Sequence, residues 1–100
     1  VEAARALGQR AMDLDEDRAK RLQYVFRSVL ARSPTTEEMT LLDRALSRYQ
    51  AAFHGDDTKA KKLLSVGEQP LDEGVDVVEL AAYTLTASIV FNTDEAVTRE

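Results

Sequence analysis

Cysteine and tryptophan are both missing from this chain, and proline occurs only twice in its 100 residues. Without a thiol there is no cysteine nucleophile, no thiolate metal ligand, no disulfide and no Cys-x-x-Cys-His attachment for a c-type haem. The lack of disulfides leaves the compartment open, because a domain of this size can bury an adequate core without them. Histidine is reduced to one residue, His54. General acid–base work needs a partner that orients the ring, and a metal site needs several converging ligands. A solitary His next to Gly55, near an expected helix C-terminus, is instead a favourable charge placement. Four scattered glycines cannot build a phosphate-cradling loop, a dinucleotide fingerprint or a Gly-x-Ser-x-Gly elbow. The longest nearly apolar stretch runs from Val75 to Phe91, with Asp76 and Glu79 breaking its start. Its uncharged part, Leu80 to Phe91, is shorter than the ~20 residues that cross a bilayer. No catalytic residue, cofactor, metal or membrane insertion is expected on these grounds.

Positive charge is also in short supply where a polyanion would need it. The chain carries a net charge of −5, and residues 67–100 hold eight acidic side chains against one basic. The first 33 residues carry seven basic and five acidic side chains, the middle third five of each. The densest basic cluster, Arg18, Lys20 and Arg21, directly follows Asp13, Asp15, Glu16 and Asp17. Lys59, Lys61 and Lys62 read as a solvated helix face. Phosphate neutralisation supplies most of the affinity for nucleic acid, so nucleic acid is not an expected partner. Tyr24, Phe26, Tyr49, Phe53, Tyr83 and Phe91 are dispersed at core-facing spacing and do not form a base-stacking platform.

What the chain has in abundance is helical periodicity. Ala3, Ala6, Leu7 and Ala11 give a first helix from Glu2 to about Met12, weakened by Gly8 by about 1 kcal/mol relative to Ala. The acids from Asp13 to Asp17 supply an N-cap for a second helix running to about Ala31, with Leu22, Val25, Phe26, Val29 and Leu30 on one face. Pro34 then ends that segment, and Thr35-Thr36-Glu37-Glu38 is a capping box. Met39, Leu42, Leu46, Tyr49 and Phe53 continue as one apolar stripe that stops at His54-Gly55. Asp56 or Asp57 opens a short fourth helix with Ala60, Leu63 and Leu64. After a loop from Glu68 to Gly74, Asp76 with Glu79 makes a second capping-box-like start. The last helix, about Val77 to Phe91, is apolar on most of its circumference and belongs at the centre of a bundle. Ala81, Ala82, Ala87 and Ser88 let neighbours approach it closely. Asn92 is a candidate C-terminal cap for this helix, and Arg32 is expected to pair with Glu95 or Glu38.

One motif imitates a metal site. Asp13, Asp15 and Asp17 alternate like the opening of a calcium loop, but Arg18 stands where the turn glycine belongs and Tyr24 where the bidentate glutamate belongs. The run is read as a helix start.

Two stretches carry a family likeness. Val29-Leu30-Ala31-Arg32-Ser33-Pro34-Thr35-x-x-Glu38 resembles the hydrophobic-x-Arg-x-Pro-Thr-x-x-Glu signature of the C-terminal domain of large planctomycete secreted proteins. The segment Ile89-Val90-Phe91-Asn92-Thr93-Asp94-Glu95-Ala96-Val97-Thr98-Arg99 resembles that family's closing Leu-Asn-x-x-Glu-Phe-x-x-Arg, with Ala96 in place of the usual aromatic. Leu64-Ser65-Val66-Gly67-Glu68 matches in character and order between them. The resemblance implies a domain without assigned activity at the end of an exported or envelope-associated parent, which often carries a cytochrome-c-like module upstream. It implies a structural motif at Arg32, Pro34, Thr35, Glu38, Asn92 and Glu95, and it carries over no catalytic residue.

The expectation is therefore one all-α domain over residues 1–100, a soluble five-helix bundle with the last helix central, excised from a longer protein that supplies the missing initiator Met. Its expected role is a structural or interaction module that packs on the parent's other domains or on a protein partner. An exposed apolar patch of several hundred Å2 is the expected mark of such a module. The alternative is a contribution to an enzyme or carbohydrate-binding site shared with the parent, through Glu68, Asp72 and Glu73 in the long acidic loop.

Overall fold

A computed structural model of the chain describes residues 2–64 and 76–98, with side chains placed over residues 3–64 and 76–92. Five helices follow one another: α1 Glu2–Leu14, α2 Arg18–Leu30, α3 Thr36–Phe53, α4 Asp57–Leu64 and α5 Val77–Thr98. Among the described residues there is no strand, and α5 touches each of the other four helices. The chain is a five-helix bundle built around its last helix.

The polar residues between the helices account for most of the boundaries. Asp17 is extended, and its carboxylate accepts from the Ala19 amide to open α2. The helix ends at Ala31, which takes the left-handed conformation with φ 57° while its N–H donates to the Arg27 carbonyl at 3.0 Å. The stop thus comes three residues before Pro34, which sits on the approach to α3. α3 opens on the expected capping box at Thr35 and Glu38. At its other end Gly55 takes φ 73°, and the Asp56 amide donates back to the Phe53 carbonyl at 2.9 Å. The Asp56 carboxylate then accepts from the Lys59 amide at 3.0 Å and starts α4.

Three sequence expectations are corrected. On α1 the buried face is Ala4, Leu7, Gly8 and Ala11, whereas Ala3 and Ala6 face outward and the helix continues to Leu14. Leu7 and Ala11 are common to both assignments, and the remaining small side chains carry too little signal to be placed in sequence. At the start of α5, the Asp76 carboxylate accepts from the Val78 and Glu79 amides at 3.1 and 3.2 Å. The Glu79 carboxylate does not close a second box there; it accepts from Gln50 Nε2 on α3 at 2.8 Å. Finally, Asn92 is not a cap. α5 runs on to Thr98, 22 residues in all, with Asn92 exposed on it. No Gly or Pro follows before the helix ends, and the intrinsic helix penalty of Asn, below ~0.7 kcal/mol, cannot stop a helix so well anchored.

That anchoring is visible in the core. Leu80, Ala81, Ala82, Thr84, Thr86 and Ala87 of α5 are all sealed from solvent. Around one length of α5 lie Leu7, Leu22, Val25, Phe26, Leu42 and Leu46, and around its N-terminal part lie Phe53, Ala60 and Leu64. Each large apolar side chain so buried contributes roughly 1.5–3 kcal/mol. The two buried threonines satisfy themselves: Thr84 Oγ1 donates to the Leu80 carbonyl at 2.7 Å and Thr86 Oγ1 to Ala82 at 2.9 Å. Neither of these hydroxyls is left to desolvate without a partner.

Gly8 has its explanation here. A Cβ on this residue would lie 3.3 Å from the Thr84 amide nitrogen and 3.4 Å from its hydroxyl. The residue that weakens α1 in isolation is the one that lets α1 lie close on α5.

Candidate functional site

The α2–α3 corner gathers the first set of motif residues. Thr35 Oγ1 accepts from the Glu38 amide at 3.1 Å, and Glu38 Oε1 accepts in return from the Thr35 amide at 2.9 Å. Arg32 donates to both Glu38 oxygens, at 2.9 and 2.8 Å, the forked geometry that matches guanidinium to carboxylate. Its guanidinium also lies 4.9 Å from the centroid of the Phe26 ring, so the charge is seated on the core as well as paired. The Arg32 contact, then the Thr35 amide, hold the Glu38 carboxyl down from 4.5 to about 2, and Glu38 in turn raises Arg32 above its ordinary value. Of the two expected partners for Arg32, Glu38 is in place, and the Glu95 side chain lies outside the described residues. This corner turns the chain, and its Arg32, Thr35 and Glu38 side chains are all engaged in doing so.

A second set of polar ties was not legible in the sequence. Arg18, which reads as part of the densest basic cluster, reaches from α2 to α3. One terminal nitrogen donates to Gln50 Oε1 at 3.0 Å and the other to the Asp43 carbonyl at 2.8 Å and Ser47 Oγ at 2.5 Å. Asp43 Oδ1 lies 2.6 Å from Arg18 Nε without the alignment of a hydrogen bond, so that contact is an ion pair only. Gln50 passes the connection on to Glu79 of α5. Arg21 donates to the carbonyls of Asp15 and Met12 and lies 5.5 Å from the Tyr83 ring centroid. Arg5 of α1 donates to the Leu64 carbonyl at 2.8 Å, closing the end of α4. The ties between Arg18 and α3, between Gln50 and Glu79 and between Arg5 and Leu64 span 25 or more residues and leave no local spacing signal, which is why the pattern shows only after folding.

The aspartate run is similarly employed. Asp15 Oδ1 accepts from the Asp17 amide at 2.8 Å, and Lys20 Nζ lies 3.7 Å from the other oxygen. The amide bond, with help from Lys20, lowers the Asp15 pKa. Asp13 accepts from Gln9, and Asp17 caps α2. Among the described residues no three His, Cys, Asp or Glu side chains converge as a metal site would require. His54 is exposed at the end of α3. The loop candidates Glu68, Asp72 and Glu73 lie outside the described residues. Glu95 lies within α5, but its side chain is also outside the description. Pro34, half-buried, precedes the Thr35 cap, and Asn92 is remote in sequence from the corner it was grouped with.

A broad exposed apolar face does not form among the described residues, where the exposed large apolar side chains are Leu14 of α1 and Leu41 of α3. The surface offers instead an open furrow between α1 and α2. Its larger part, about 670 Å3, is bordered by Leu14, Lys20, Tyr24, Arg27 and Ser28. A smaller part, about 270 Å3, is bordered by Ala6, Arg10, Ser28, Val29 and Phe91. Ser28 borders both, so the two parts adjoin. No helix among the described residues is long and apolar enough to cross a membrane. Compared with protein-family models, with curated proteins and with solved structures, the chain matches none.

Proposed function

We propose that this domain is a non-catalytic structural or interaction module, the C-terminal part of a multidomain exported protein. One observation carries the reading: among the described residues, many of the side chains able to do chemistry are spent on holding helices together. Arg18, Arg21, Arg32, Asp15, Asp17, Asp43, Glu38 and Glu79 each have a partner within the bundle. A catalytic set needs groups left free to meet a substrate in a concave, water-excluding site. The concavity between α1 and α2 is open and mixed in polarity, the form of a contact surface. The exported setting rests on the likeness of the Val29–Glu38 and Ile89–Arg99 stretches to the planctomycete family. The engagement of Arg18, Lys20 and Arg21 also supports a protein partner over nucleic acid.

The test is photo-crosslinking in the cells that make the protein, with the reactive residue placed singly at Leu14, Gln23, Leu41, Lys61 and Asn92, an exposed position on each helix. A discrete crosslinked polypeptide at any of these positions supports the module. Silence at all five, with the protein folded and abundant, overturns it.

A further inference from the structure

We propose that the furrow between α1 and α2 receives an acidic amphipathic helix from a partner protein; this rests on the module reading above and names the partner's chemistry. The linker between the two helices is three residues long, so α1 and α2 run antiparallel. The order of residues along the furrow agrees: Leu14 faces Lys20 and Tyr24, and Arg10 faces Ser28. Small side chains at Ala6 and Ser28 keep the middle shallow enough for a third helix to seat its ridge between the two. Leu14, 59% exposed, stands at one end and half-buried Phe91 at the other. Apolar anchors at i, i+3, i+4 and i+7 of an incoming helix would meet those two ends. The furrow follows α1, whose 13 residues at ~1.5 Å each span about 20 Å, which sets the partner at three to four turns.

Charge decides the partner's sign. Of the arginines on α1 and α2, Arg5, Arg18 and Arg21 are all tied into the bundle. Arg10 and Arg27 are the exceptions. They rise exposed from opposite walls of the furrow, and among the described residues neither has a carboxylate partner. An acidic helix lying between the two helices could meet both guanidinium groups, which carboxylates fit bidentately. The one acid on the furrow's border, Asp15, already accepts from the Asp17 amide and pairs with Lys20.

The probe is a synthetic 15-residue peptide with Leu along one helical face and Glu flanking it, labelled for fluorescence anisotropy. Its controls are a twin with Lys for every Glu and a second peptide with the Leu positions scrambled. The expected result is saturable binding of the acidic peptide alone, weakening as salt rises. The Arg10→Glu/Arg27→Glu double variant and, separately, Leu14→Asp should each weaken it at least tenfold. Arg44→Glu/Arg48→Glu on α3 should leave it unchanged, and thermal melts would show that every variant is folded. Backbone amide shifts on titration should concentrate at Arg10, Leu14, Tyr24 and Ser28.

The proposal is overturned by no saturable binding below about 1 mM, or by equal binding of the Lys twin. It is equally overturned if single-stranded oligonucleotide or anionic phosphatidylglycerol vesicles bind at the furrow and the peptide does not. A self-association abolished by Leu14→Asp, with no peptide binding, would assign the furrow to a second copy instead. Crosslinks confined to Leu41 or Asn92 would sink the furrow while leaving the module reading standing.

Discussion

The seam where α1 lies on α5 and the corner where α2 turns into α3 hold the same fold by opposite means. In the seam Ala4, Leu7, Gly8 and Ala11 meet a helix whose buried threonine hydroxyls are turned back onto its backbone, so contact and excluded water dominate there. In the corner the work is directional: a left-handed Ala31, a reciprocal cap between Thr35 and Glu38, and Arg32 forked onto Glu38 above Phe26. The difference teaches which part sets stability and which sets the path of the chain. Burial supplies the large terms and is sensitive to volume. Caps and pairs supply small terms that are sensitive to angle. The largest effect should therefore come from the centre. Leu80→Ala, at a position with no solvent exposure, should cost about 2–5 kcal/mol in urea unfolding. A loss below about 1 kcal/mol would mean that the centre is loosely packed and the contrast is false.

The seam allows a sharper test of volume against propensity. Gly8→Val adds branched bulk where even a single Cβ would meet the Thr84 amide nitrogen at 3.3 Å. Overpacking of this kind should cost about 1–3 kcal/mol. Gly8→Ala should come out close to neutral, because a helix-propensity gain of about 1 kcal/mol offsets the tight contact. A stabilisation by both variants would show that α1 can lift off α5 freely, and the seam would lose its close approach as a cause of the fold.

At the corner one substitution should improve the protein. Ala31 holds φ 57°, a conformation in which a Cβ costs roughly 1–2 kcal/mol. Glycine removes that cost but gives back part of it through the greater freedom of its unfolded chain, roughly 0.5–1 kcal/mol. Ala31→Gly should raise stability by about 0.5–1 kcal/mol, read as a higher urea midpoint at constant slope. A loss would mean that the side chain at Ala31 matters more than its backbone.

These two regions were unequally legible in sequence. The corner could be read because capping is local: Thr35 and Glu38 are three residues apart and Arg32 is three residues before the cap. The central place of α5 was legible too, since an apolar helix on nearly all sides has nowhere else to go. The seam was not. Alanine and glycine carry so little side-chain signal that neighbouring faces look alike, and the outward Ala3 and Ala6 stand in as plausibly as Ala4 and Gly8. The length of α5 was misjudged because Asn92 reads locally as a stop while burial upstream carries the helix on. Arg18 reaching Gln50 and Asp43 belongs to a third class, fixed only when α2 and α3 dock. The furrow likewise exists only once two helices lie side by side, so Arg10 and Arg27 gain their meaning from the fold.

The corner's ion pair makes the smallest and most diagnostic prediction, because it responds to pH while the packing of the seam and the backbone of Ala31 do not. Glu38 titrates at about 2 in the folded chain against an ordinary 4.5, held down first by Arg32 and then by the Thr35 amide. A depressed carboxyl pKa means that the folded state binds this proton less readily than the unfolded chain does. Its contribution is therefore fully present above pH 4.5 and is lost as the pH falls through about 2. Arg32, shifted upward, stays charged throughout that window. The pair is partly open to solvent, so the effect is expected to be small and reduced by salt. The thermal midpoint of the native chain should fall between pH 4.5 and 2 more steeply than that of Glu38→Gln, whose amide cannot titrate. Leu80→Ala should lower the midpoint without altering that slope. Parallel profiles for the native chain and Glu38→Gln would show that the carboxylate is held no differently in the fold than in the open chain, and that the corner is set by Ala31 and Thr35 alone.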